Sequence, residues 1–374
     1  MLDHPKSLLT RHIQFLEQRH FGSLDGVRCF CTTAVLWHHA SPPNFPQLLT
    51  RGFLGVDMFF VLSGFLIVTL LLREQTAKGQ ISLRKFYARR ALRIFPVYYG
   101  ILLLCSVYYL LFKFNGTSSA TFFSVLPFYL SFTSNWSLVQ APGLGISWSL
   151  AAEEQFYLIW PAIEKLTRKR IVYIVLGVII FINQLMNFGV LDDMFIALYK
   201  SPEAIHLLDT TFTPICLGIG LAHLLHRFRS FSWIFRSLGH RYTPIVILII
   251  LLGLMNFSPI DISGFPRLLI QLTMTLWLGS LVVREDHILQ PLMIATPIAR
   301  IGKISYGMYM YHIWTFALAA SVTRFLPEYW GLGQQFPLFV TGTLVTFLVS
   351  EISYRFYEMP FLGWKTYFGT QSKS

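Results

Sequence analysis

Runs of about twenty mostly apolar residues recur along the chain, separated by short polar segments. Crossing a hydrocarbon core takes a helix of roughly 20 such residues. The pattern predicts an all-α, polytopic integral membrane helical bundle of about ten transmembrane helices. They fall at about 24–41, 53–72, 94–113, 148–164, 171–190, 208–226, 242–258, 265–283, 304–324 and 336–358. A shorter apolar stretch, about 119–133, holds Pro127 and is rich in Ser and Thr.

The charge pattern checks the span count. Lys and Arg concentrate in cytoplasmic loops. The second span is followed by Arg73, Lys78, Arg84, Lys85, Arg89, Arg90 and Arg93, and the fourth by Lys165, Arg168, Lys169 and Arg170. Arg227, Arg229, Arg236 and Arg241 follow the sixth; Arg284, Arg300 and Lys303 the eighth; Lys365 and Lys373 the tenth. Loops 42–52, 191–207, 259–264 and 325–335 are poor in both. The alternation holds if 119–133 stays on the outer side as a re-entrant or interfacial segment. Both termini are then cytoplasmic. An eleventh span would place Lys165 to Arg170 outside, against the rule.

Composition agrees. Apolar residues are 54% and charged ones 13% of 374 residues, about half the charge of an average soluble protein, and mean hydropathy is +0.55. The net charge of +12 lies in short inter-span segments. That distribution suits loop orientation and membrane-lipid headgroups; nucleic acid would need a basic face on a water-soluble domain. Cys29, Cys31, Cys105 and Cys216 lie in apolar runs without a CxxC pair, which predicts buried thiols and no metal site. Residues 1–23 hold several charged and histidine side chains but no apolar core with a cleavage site, and read as a cytoplasmic segment rather than a secretory signal. Residues 24–361 read as one membrane domain and 362–374 as a cytoplasmic tail, with no appended soluble domain expected.

Ionisable groups inside a span are expensive and mark function by default. The first span carries Asp25, Arg28 and His39, with His38 adjacent. Arg28 and His39 are separated by close to three helical turns, so they share a face about 16 Å apart along the axis. His39 could also be an interfacial residue at a helix end. Asp57 opens the second span, level with His39 in an antiparallel hairpin, where a carboxylate could orient an imidazole or pair with another buried cation. Ser63 and Gly64 would permit close helix approach. Arg90 and Arg93 share a face where the basic loop meets the third span. Their forks suit phosphate oxygens or headgroup anchoring.

Glu153 and Glu154 begin the fourth span and read as an outer wall of the site, or as complements to the helix dipole. Lys303, Tyr306, Tyr309 and His312 form a further block; its tyrosines could be interfacial belt residues. Arg355 and Glu358, three apart, could pair.

In order, these blocks resemble the acyltransferase-3 family of membrane acyltransferases, from about Phe21 to Phe361. Arg28 and His39 match the family's arginine, ten residues, histidine motif, which favours His39 over His38. Phe59 to Ile67 (FFVLSGFLI), Arg90 to Arg93 (RxxR), Ser147 to Tyr157 and Ile304 to His312 also match. Cys29 stands where relatives often have Gly, and the C-terminal hydrolase-like domain of some relatives is missing, so the membrane domain is expected to complete the reaction alone.

The resemblance implies O-acyl transfer from acyl-CoA, by default acetyl-CoA, to a hydroxyl of a glycan, glycolipid or secondary metabolite. A bacterial inner-membrane location follows, with no permanently bound cofactor and no nucleic-acid partner. Coenzyme A phosphates would dock at Arg90 and Arg93, the thioester arm would follow the Arg28 face, and His39, oriented by Asp57, would act as base or acyl carrier. Glu153, Glu154 and Tyr309 would line the substrate site. A proton-coupled transporter would use similar buried charges, but no inverted repeat is evident. Release of coenzyme A on incubation with acyl-CoA separates the two readings.

Overall fold

The computed structural model describes residues 5–18, 20–40, 46–113, 116–167, 169–202, 211–323 and 335–368. No strand occurs among them. The principal helices are α1 (Pro5–Glu17), α2 (Ser23–Ala40), α3 (Leu54–Lys78), α4 (Leu83–Phe112), α5 (Thr117–Leu130), α6 (Trp148–Leu166) and α7 (Lys169–Asn187). They continue with α8 (Thr213–Leu225), α9 (Phe228–Leu238), α10 (Thr243–Phe257), α11 (Phe265–Val283), α12 (Thr296–Thr323) and α13 (Gln335–Ser353). Arg168, most of loop 325–335 and the residues after Phe368, Lys373 included, lie outside the described residues.

Five described helices are long and apolar enough to cross a membrane, or up to six if α9 and α10, bent by 75°, form one broken span. The expected spans at α2, α6 and α12 are helices of 18, 19 and 28 residues that carry the polar groups of the site. The leftover stretch is α5. Its 14 residues reach about 21 Å at 1.5 Å each, short of a core about 30 Å thick. It packs on α4 through Phe122, Val125 and Tyr129.

At α4 the helix begins well before the predicted span start of 94. Ser82 caps it, its hydroxyl accepting from the Lys85 N–H at 3.5 Å. Pro96 lies inside the helix without ending it. Arg89, Arg90 and Arg93 therefore sit on a rigid helix rather than in a loop.

Helix α3 forms the centre, with Phe60, Val61, Phe65 and Val68 buried. Its close contact with α8 depends on two glycines. A Cβ on Gly64 would run into the Ile215 carbonyl, and one on Gly218 into the Val61 carbonyl. Small residues let membrane helices approach in this way, and packing replaces the hydrophobic effect as the cohesive force. Gly302 does the same where α12 meets the Asp25 backbone of α2. On the periphery, Leu103, Leu104, Leu158, Phe181 and Ile249 are exposed, as lipid-facing side chains would be.

Candidate functional site

Helices α2, α3, α4, α6 and α12 enclose a cavity of about 660 Å³. One end is basic. His20, Arg28, Arg89, Arg90, Arg93, Lys303 and Lys365 all line it. The other end closes on Val56, Phe60, Ser149 and Tyr309.

The cations differ in how they are held. Arg28 pairs with Asp25 at 2.7 Å, and His20 lies 3.2 Å from the same carboxylate. Arg89 faces Glu74 at 3.5 Å and donates to the Phe368 carbonyl at 2.8 Å. Arg90 lies 2.9 Å from Glu154 and 3.6 Å from Glu153, its guanidinium stacked over Tyr157 at 3.8 Å. Arg93, Lys303 and Lys365 make no ion pair among the described residues. A cluster with unpaired cations facing a cavity suits phosphate or another polyanion. Burial, and after it Arg93 and Arg90, push Lys365 down to about 7.

Glu153 lines the cavity together with Arg90, and both Glu153 and Glu154 grip that arginine. The paired Arg90 also leaves Arg93 as the arginine of this motif open to an anion.

At the other end, Tyr309 is fixed by its hydroxyl, which donates to the Ile146 carbonyl at 2.8 Å and meets Ser149 Oγ at 2.6 Å. The Tyr309 backbone carbonyl lies 2.7 Å from Nδ1 of His312, one turn on. His312 is fully buried, and its Nε2 lies 3.3 Å from Nδ1 of His39. His39 Nδ1 is also 2.9 Å from the Val35 carbonyl. His39 itself is exposed and does not line the cavity. The expected stripe from Arg28 to His39 is thus interrupted: Arg28 borders the chamber, and His39 connects to it through His312 and Tyr309.

Asp57 is buried, but its partner is not His39. Its carboxylate accepts from Gln271 at 2.8 Å and faces Arg267 at 3.4 Å. Burying a carboxylate requires a partner, and α11 supplies a cation and an amide from one helix face. Arg267 and Gln271 are four apart in an otherwise apolar span, and that spacing is the signal that could have found the pair. Arg355 pairs with Glu351 at 2.5 Å, one turn back, and not with Glu358. Arg300 joins the same carboxylate at 2.8 Å. All four cysteines are free and buried.

The family described as Acyltransferase domain matches residues 21–355. A protein provisionally named as an O-acetyltransferase in Staphylococcus aureus (strain COL) is 29% identical over 370 residues, covering 93% of this chain and 58% of the relative. The O-acetyltransferase OatA of Staphylococcus aureus (strain NCTC 8325 / PS 47) is 27% identical over 365 residues, covering 91% and 57%. The chain thus spans somewhat over half the length of these relatives. No solved structure matches it.

Proposed function

The chain belongs to this acyltransferase family, and from that premise we propose that it moves an acyl group, by default acetyl, from acyl-CoA to a hydroxyl of a glycan, glycolipid or secondary metabolite. One observation carries the reading. A chamber with unpaired cations at one end terminates at Tyr309, whose backbone holds the His312 that touches His39.

Coenzyme A is a polyanion joined to a long apolar arm and a thioester. Its phosphates bind Arg93, Lys303 and Lys365, while paired Arg90 keeps the wall rigid. The arm runs between Phe60, Leu66 and Ile94 toward Tyr309. His39 takes the proton of the acceptor hydroxyl, or carries the acyl group in passing. Arg28, held by Asp25, adds positive potential along the chamber. Asp57 serves the site indirectly by anchoring α11 to α3.

The positive-inside pattern supports a multi-pass protein of ten spans in a bacterial inner membrane, with the basic end of the chamber and both termini in the cytoplasm. Exposed His39 then faces an acceptor outside the cytoplasm. The names of the relatives support O-acetyl transfer. The test is release of free coenzyme A when purified protein in lipid meets acetyl-CoA. Arg93→Ala should raise KM for acetyl-CoA; an unchanged KM removes Arg93 from the phosphate role.

A further inference from the structure

The geometry points to His312 as the residue that, with the Val35 carbonyl, sets the tautomer of His39, holding its proton on Nδ1 and leaving the Nε2 lone pair for chemistry. The inference rests on the functional reading above and adds a positioning residue to it.

Donors and acceptors around the two rings fix where their hydrogens lie. A neutral imidazole has one N–H and one lone pair, and its hydrogen-bond partners select between the tautomers. A backbone carbonyl only accepts. His312 Nδ1 lies 2.7 Å from the Tyr309 carbonyl, so that nitrogen carries the hydrogen. Its Nε2 is then a lone pair aimed at His39 Nδ1, 3.3 Å away. His39 Nδ1 also faces the Val35 carbonyl at 2.9 Å. Two acceptors meet one nitrogen, and a shared N–H satisfies both. The opposite assignment sets a lone pair against a carbonyl at both Val35 and Tyr309. The two carbonyls, on different helices, therefore select the same arrangement.

The remaining atom, His39 Nε2, belongs to an exposed residue, whereas His312 is completely buried. In the transfer step Nε2 takes the hydroxyl proton as the oxygen attacks the thioester carbonyl. The C–S bond breaks, the electron pair leaves with the coenzyme A sulfur, and the proton passes from Nε2 to that thiolate. Throughout, the charge formed on His39 is shared through Nδ1–H with His312 and Val35. A neutral imidazole thus fills the place the sequence assigned to the Asp57 carboxylate. His312 touches neither donor nor acceptor and acts through His39.

The first measurement needs no acceptor: 15N spectra of histidine-labelled full-length protein in lipid, with His39 and His312 assigned by loss of their signals in His39→Gln and His312→Gln. Both rings should appear as the Nδ1–H tautomer, the minority form of free histidine. An Nε2–H form at either ring overturns the assignment.

The second measurement is turnover of acetyl-CoA, read as free thiol. His312→Phe removes the acceptor and should lower kcat about 10- to 100-fold, the value of one hydrogen bond to a charged group, with KM for acetyl-CoA within about twofold. His312→Gln offers an amide oxygen to the same N–H and should recover part of the loss. Wild-type kcat in His312→Phe, at an unchanged melting temperature, overturns the role of His312 while leaving the functional reading in place. Full turnover in His39→Ala removes His39 from the step, whereas no release of coenzyme A by the wild-type protein overturns the functional reading itself.

Discussion

Arg90 turns both Nε and a terminal nitrogen toward one oxygen of Glu154, each at 2.9 Å, with the Tyr157 ring beneath the guanidinium. This pairing separates two arginines that the sequence presents as equals. Arg90 braces α4 against α6, and Arg93 opens onto the chamber.

Stability should therefore respond to Arg90 and donor affinity to Arg93. Glu154→Ala leaves a guanidinium facing only Glu153, at 3.6 Å. Removing one partner of such a pair costs about 3–5 kcal/mol, visible as a lowered melting temperature in detergent. Arg93→Ala should leave the melting temperature near wild type and raise KM for acetyl-CoA about tenfold, equivalent to about 1.4 kcal/mol. The reverse pattern would assign the two arginines the other way.

Donor binding should also depend on pH through Lys365. With its ammonium destabilised to about 7, the charge is present below that pH and lost above it. KM for acetyl-CoA should rise between pH 6 and 8. Lys365→Arg keeps the charge throughout and should flatten that rise; an equal rise in this variant would show that Lys365 does not contribute.

Asp57 should behave as half of an ion pair rather than as part of the catalytic group. Asp57→Ala strands Arg267 in the bundle and should destabilise by about 3–5 kcal/mol. The double variant Asp57→Ala/Arg267→Met removes both charges and should recover both melting temperature and turnover. A double variant that is stable but inactive would return Asp57 to the chemistry.

Much of the bundle was legible because hydrophobic length is a strong local signal. The predicted span at 265–283 coincides with α11 (Phe265–Val283), and the one at 148–164 nearly coincides with α6. By charge, Arg84 to Arg93 reads as a loop before a span starting near 94, whereas Ser82 caps a helix that begins at Leu83. Within the site, local spacing placed Arg28 and His39 on one helix and Arg90 and Arg93 on another.

Spacing could not choose partners across the bundle. Asp57 and His39 are near in sequence and level in a hairpin, yet Asp57 pairs with Arg267 and Gln271, more than 200 residues away. His312 lies 273 residues from His39, and no local pattern announces that contact. Glu154 stands at the start of a predicted span. In the folded chain the second turn of α6 meets Arg90, a partner that its place in the sequence does not announce.

The central claim is that an imidazole at the end of α2 performs acyl transfer fed by the basic chamber. The most direct measurement is transfer of label from acetyl-CoA by purified His39→Ala, with its melting temperature recorded beside wild type. The expected result is a folded protein that still binds acetyl-CoA and has lost transfer by about 100- to 10,000-fold, the range for a positioned acid–base group. A folded His39→Ala protein that transfers label at the wild-type rate would contradict it.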